Sequence, residues 1–216
     1  MPADPPFTTI PRGDARYPVA VAARLSAGAP EAISARGDLA ILQRPALALF
    51  CSIACPGDVI LRTYDLARDL RDAGVTVAGG FHSPMERECL HLLLRGTQPM
   101  VVCPAREIAQ MRLPREWRAP LAEGRLLLLS PFAEGPRRAT AELALARNLF
   151  LAALAGAVLI AHARPGGRTE RFAAAVVAWG LPLLTLESPH NGNLVALGAR
   201  PWTGHAPWAP QSDAPC

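Results

Sequence analysis

From Pro45 onward, short apolar runs alternate with longer segments of helical period, and nothing else in the chain constrains its fold as strongly. Such alternation is the signature of a mostly parallel sheet covered by helices. The apolar runs predict strands at Ala46 to Ser52, Val75 to Gly79, Pro99 to Cys103, Arg125 to Ser130, Ala157 to Ala161 and Pro182 to Leu186, each bounded by Gly, Pro, Ser or Cys. Between the first two, Val59, Leu61, Leu66 and Leu70 form a helical stripe over Asp58 to Ala73, with Gly74 as its stop. Further helices are predicted at Met85 to Arg95, Ala139 to Leu154 and Thr169 to Trp179, and Gly96 and Gly180 close two of them. The expected fold class is α/β: a doubly wound, mostly parallel, Rossmann-like sheet with helices on both faces and a ligand crevice along the carboxyl ends of its strands.

A chain of 216 residues suits one such unit with tails. Residues 1–44 are expected as a lead-in packed on the main domain, irregular at first and helical at Val19 to Leu25 and Pro30 to Ala35. Residues 45–200 form the main domain, and residues 201–216, rich in Pro and Ala, form an extended or disordered tail. Pro104, Pro114 and Pro120 limit the segment between the third and fourth strands to short helices and loop. Half the residues are hydrophobic and 19% are charged, which excludes disorder as a whole-chain description. The amino terminus has prolines and Asp4 where a secretory signal needs a basic start and an apolar run. Leu149 to Ala161 is shorter than the roughly 20 residues of a spanning helix. Both features predict a cytoplasmic protein with no membrane partner. The cysteines (Cys51, Cys55, Cys89, Cys103, Cys216) lack the paired spacing of a zinc site and are read as thiols filling the core. No metal or cofactor is expected.

The formal charge is +4, and because Lys does not occur, all 22 basic residues are Arg. Arg binds phosphate in bidentate fashion and stacks on bases, so the composition permits an anionic partner; a G- and C-rich genome gives the same bias.

Candidate site residues are those at strand ends: Ser52, Gly79, Gly80, His82, Cys103, Ser130, His162, Gly166, Gly167, Glu187, Asn191 and Asn193. Gly166, Gly167, Arg168 and Thr169 form a glycine-rich strand-to-helix turn flanked by Arg164, either a phosphate-binding loop or an ordinary turn that needs glycine for steric reasons. GGFHSPME supplies Ser83 as an N-cap, Pro84 in the first turn and Glu86 as an early acid, which makes it either a second anion site or a simple cap. Arg147 and Asn148 interrupt an apolar helix. A guanidinium there needs a carboxylate, backbone carbonyls or an external phosphate, and a ligand is the preferred reading. Arg137 and Arg138 could extend a basic face or be solvated loop residues. No serine–histidine–acid spacing and no Walker-type lysine loop is present.

The order of these motifs resembles the DNA-processing protein A (DprA, also called Smf) family, whose Rossmann-like domain shares a superfamily with LOG-type nucleotide hydrolases. RYPVAVAARLSAGAPEAISARGDLAIL is similar to the family's lead-in. ALALFCS stands where the family has a strand ending in Val-Gly-Ser-Arg, and GVTVAGGFHSPMERECLHLLLRG is similar to its Ser-Gly-Leu-Ala-x-Gly-Ile-Asp segment. ALARNLFLAALAGAVLIAHA resembles its Arg-Asn helix and following strand, the most specific of these stretches, while GGRTERFAAAVVAWGLPLLTL and NGNLVALGA resemble its closing section. Cys51 and Ile53 replace the Gly and Arg of Gly-Ser-Arg, and Pro84, Met85 and Glu86 replace Gly-Ile-Asp.

The resemblance implies a reduced, divergent member without the helical and winged-helix modules. Such a protein binds single-stranded DNA or nucleotide phosphate, forms a homodimer and passes the strand to a RecA-type recombinase in transformation or repair; it is not implied to be an enzyme. By position, the family's basic pocket would draw on Ser52, Gly80, His82, Arg147, Gly167 and Thr169; together with the residues read above, the expected phosphate- or DNA-binding set is Ser52, Gly79, Gly80, His82, Ser83, Arg147, Asn148, Arg164, Gly166, Gly167, Arg168 and Thr169. PGGRTE also resembles the LOG-type loop, which makes a nucleoside 5'-monophosphate phosphoribohydrolase the alternative, with Glu170 displaced from the expected acid position; a non-catalytic nucleotide-sensing module is a third reading.

Overall fold

The computed structural model describes residues 6–132 and 138–208. Its strands are β1 (Phe7–Pro11), β2 (Ala32–Gly37), β3 (Ala46–Phe50), β4 (Thr76–Gly79), β5 (Met100–Val102), β6 (Leu126–Ser130), β7 (Ala157–Ile160), β8 (Leu183–Thr185) and β9 (Arg200–Pro201). Its helices are α1 (Val19–Leu25), α2 (Gly57–Asp72), α3 (Pro84–Leu93), α4 (Arg115–Ala122), α5 (Ala141–Leu154), α6 (Arg168–Ala178) and α7 (Gly192–Ala196). All the strands belong to one sheet in the order β1-β2-β6-β5-β4-β3-β7-β8-β9. From β6 to β9 every pairing is parallel, whereas β1–β2 and β2–β6 are antiparallel. This is the expected α/β class.

Every residue of β3 and β7 is buried. An all-apolar strand of this kind is stable only with both faces covered. Side chains alternate accordingly. Ala48 and Phe50 join a core layer with Phe150 and Leu151 of α5 and Phe172 and Val176 of α6, while Leu47 and Leu49 join a second layer with Leu66 and Leu70 of α2 and Leu90 and Leu93 of α3. The chain winds from β3 through β4 and β5 to β6 on one side, then returns to the other side of β3 as β7. That reversal opens a crevice beyond the carboxyl ends of the two strands.

The amino-terminal segment departs from expectation. Pro30 to Ala35 was predicted helical, but Ala32–Gly37 is a strand that continues the sheet beyond β6, pairing Ser34 with Ser130 and Gly37 with Leu127. The open edge of β6 decides this, since it offers unpaired backbone groups and a place for Ile33 and Ala35 to be buried. Gly37, at φ +121°, lies so close to β6 that a Cβ would stand 2.6 Å from the Leu126 carbonyl oxygen. At the other edge, β9 pairs with β8, and the Trp208 ring lies against Gly156. The rest of the predicted tail lies outside the described residues.

Phe50 and Phe172 meet edge to face with ring centroids 4.7 Å apart, fastening α6 onto the central strand. Phe50→Ala is expected to lower unfolding free energy by about 3–5 kcal/mol in urea titration; a loss below about 1 kcal/mol would contradict this packing.

Candidate functional site

The seam between β3 and β7 runs past the last strand residues into the loops. Ala161 N–H donates to the Phe50 carbonyl (2.9 Å), and Ser52 N–H to the His162 carbonyl (2.9 Å). Ser52 is therefore held beside the loop after β7. Its hydroxyl lies 3.0 Å from the Thr169 hydroxyl and accepts the Arg164 N–H at 3.2 Å.

That loop largely satisfies itself. Gly167 N–H donates to the Arg164 carbonyl (2.9 Å), and Gly166, at φ +69°, donates its N–H to the Glu170 carboxylate (2.7 Å). Asn193 Nδ2 donates to the other Glu170 oxygen (2.6 Å) and to the Ala163 carbonyl (3.1 Å). Both glycine amides are thus committed inside the turn. The positive end of α6, with Arg168 and Thr169 in its first turn and no side-chain cap from Gly167, is the part that faces the crevice.

A parallel arrangement stands across the crevice. Ser83 and Glu86 form a reciprocal capping box at the start of α3. The buried Glu86 carboxylate accepts N–H groups from Cys51 (2.9 Å), His82 (2.8 Å) and Ser83 (3.2 Å). An anion already occupies the amides that this helix start would offer a phosphate, and that anion belongs to the protein. The His82 and Ser83 side chains remain on the crevice wall.

Arg147 is the residue that neither helix start explains. It lies in the middle of α5, 3% exposed, and makes no ion pair with a described residue. Its Nη1 donates to the Cys103 carbonyl (2.9 Å) and its Nε to Asn148 Oδ1 (2.7 Å). The guanidinium lies flat on Gly80, where a Cβ would fall 1.3 Å from Nη1 and 1.9 Å from Cζ. Any side chain at this position would have to displace the cation.

These elements enclose an open crevice of about 370 Å³. Of the predicted residues, Ser52, His82, Ser83, Arg147, Asn148, Arg168 and Thr169 line it together. Gly79 and Gly80 lie behind, under Phe81 and Arg147. Arg164, Gly166 and Gly167 shape the adjoining loop and are not on the crevice wall. Cys103 is buried, Ser130 Oγ donates to the Arg106 carbonyl (2.8 Å), His162 pairs with Asn191 Oδ1 (2.9 Å), and Glu187 offers its carbonyl to Arg62 (2.7 Å). Arg138 is exposed near the start of α5, and Arg137 lies outside the described residues. The sequence reading missed the apolar half of the wall, including Ile53, Leu145 and Phe172, and the commitment of Glu170 to a backbone amide. Of the two readings of GGFHSPME, the structure shows the cap, with Glu86 closing a capping box with Ser83; nothing local signalled Asn193 reaching Glu170.

A sequence model described as DNA recombination-mediator protein A matches residues 8–178. The fold is similar to that of DNA processing protein A from Streptococcus pneumoniae, with TM-score 0.74, 17% identity, and coverage of 91% of this chain and 71% of that one. It is also similar to the Helicobacter pylori DNA processing protein A studied for its single-stranded DNA binding mode, with TM-score 0.68, 18% identity and 93% of each chain covered. No curated protein matches the sequence.

Gly80→Ala is expected to displace the Arg147 guanidinium and cost about 1–3 kcal/mol of stability by overpacking. A urea midpoint equal to that of the parent chain would show that Arg147 does not rest there.

Proposed function

Because this chain belongs to the DNA recombination-mediator protein A family and so acts in DNA processing and recombination, we propose that its crevice binds the phosphates of single-stranded DNA, with Arg147 as the central cation. One observation carries the reading: a guanidinium that is almost fully buried, makes no ion pair with a carboxylate among the described residues and opens onto the crevice. Burying a cation without a counter-charge is costly, and a phosphate entering beside it would supply that charge. Other arginines, such as Arg16 with Asp14, Arg71 with Asp72 and Arg125 with Glu123, form ion pairs elsewhere.

The geometry supports a division of labour. Arg147, held by Gly80, Asn148 and the Cys103 carbonyl, keeps its charge fixed before ligand arrives. Arg168 and the first turn of α6 add a second positive element, and the Ser52 and Thr169 hydroxyls supply neutral donors. Glu86 repels phosphate from the α3 side and so directs it toward α6. Apolar contacts from Ile53 and Leu145 are compatible with bases of any identity, and sequence preference is weak. The phosphoribohydrolase alternative draws no support from Glu170, whose two oxygens are already bonded to Gly166 and Asn193. The family resemblance also supports a cytoplasmic homodimer that passes its strand to a RecA-type recombinase in transformation or repair. No helix among the described residues is long and apolar enough to cross a membrane.

Fluorescence anisotropy with a labelled oligothymidylate tests the proposal. Affinity should fall as salt rises. Arg147→Ala should weaken binding by about tenfold or more, and Arg168→Ala should lower the salt slope by about 1. Absence of binding at low salt, or parental affinity in a folded Arg147→Ala protein, overturns it.

A further inference from the structure

Phe81 stands between Gly80, on which the Arg147 guanidinium lies, and His82, whose N–H the Glu86 carboxylate accepts. Among the described residues, only Ser26 and Phe81 combine a side chain with a positive φ, at +49° and +48°. Left-handed backbone crowds Cβ against the carbonyl, so a residue other than glycine keeps it only where its surroundings oblige. Ser26 is exposed, and its hydroxyl donates to the Ala23 carbonyl (3.3 Å). Phe81 has no polar group to do the same. Its ring is instead 6% exposed, in the core layer of Leu49, Val59 and Met85, and presses on Gly79, where a Cβ would fall 2.7 Å from Cζ. Were left-handed backbone all that the turn required, glycine would supply it without strain. What Phe adds is the buried ring.

We infer that Phe81 is a positioning residue of the crevice: burial of its ring holds the left-handed turn that lays Gly80 beneath Arg147. Phe81 does not line the crevice and acts through its neighbours. The backbone is fixed on both sides of it. Before it, the Gly79 carbonyl accepts the Cys103 N–H (2.9 Å), and the Cys103 carbonyl accepts from Arg147 Nη1 (2.9 Å). After it, the His82 and Ser83 N–H groups donate to Glu86 (2.8 and 3.2 Å), which also accepts the Cys51 N–H (2.9 Å) beside Ser52. The strained residue thus joins the seat of the cation to the loop that carries Ser52. If the ring lost its place, φ would relax toward negative values, the peptide between Gly80 and Phe81 would turn, and the guanidinium would lose the surface on which it rests. The consequence for DNA, though not the seating of Arg147, rests on the proposed strand binding.

Two variants of the full chain separate the ring from the backbone. Phe81→Gly keeps the positive φ accessible and removes the anchor, whereas Phe81→Leu keeps a buried apolar side chain and folds as the parent does. Without ligand, the nitrogen-15 NMR signal of the Arg147 Nε–H should move in both, further in Phe81→Gly, while those of Arg16 and Arg71, paired with Asp14 and Asp72, stay in place. An Arg147 signal at the parental position in either folded variant overturns the inference. Oligothymidylate affinity should fall about tenfold in Phe81→Gly and about threefold in Phe81→Leu, and neither change should weaken a chain already carrying Arg147→Ala by more than about twofold. Additive losses would mark a general loss of structure and overturn positioning through Arg147. A displaced Arg147 signal with parental affinity supports the seating and contradicts strand binding at Arg147, so the two failures remain distinct.

Discussion

The parallel seam between β3 and β7, from the Leu47–Ala157 pair to the Phe50–Ile160 pair, is the constraint on which the rest of the molecule depends. The direction of winding reverses there, so the loops after both strands leave the sheet together and part around a common space. The seam is buried on both faces and is prolonged by backbone bonds at Ala161 and Ser52. Ser52, the α6 terminus and the α3 terminus therefore occupy set positions relative to one another before any ligand is present.

Within that frame two carboxylates, Glu86 and Glu170, and the buried cation Arg147 play different parts. Glu170 and Glu86 satisfy backbone amides of the two glycine-bearing loops, so the loops are rigid without an external ligand. Arg147 has no such counterpart among the described residues. It is positioned by a carbonyl, an amide side chain and the absence of a side chain at Gly80, none of which neutralises it. A site built in this way is preorganised for an anion, because the protein has already met the cost of holding the charge.

Much of this was legible in the sequence. The core strands β3 to β8 announce themselves as unbroken apolar runs, and the helices between them by their stripes and glycine stops. Arg147 stood out because a guanidinium in an apolar helix demands a partner. What was not legible depends on contacts remote in the chain. β2 becomes a strand because the edge of β6 is available to it, and β1 because it pairs in turn with β2, while Ile33-Ser34-Ala35 carries no local signal strong enough to exclude a helix. The fit of Arg147 on Gly80 joins α5 to the end of β4, and Asn193 reaches Glu170 from beyond β8.

On the proposed function, a phosphate of single-stranded DNA supplies the counter-charge that no described carboxylate gives Arg147. The most direct measurement is a nitrogen-15 NMR titration of the reduced protein with oligothymidylate, following the Arg147 Nε–H signal and the Ser52 and Thr169 amides. These three signals should shift together in proportion to bound strand. Shifts confined to another surface, with the Arg147 signal unmoved at saturation, would contradict it.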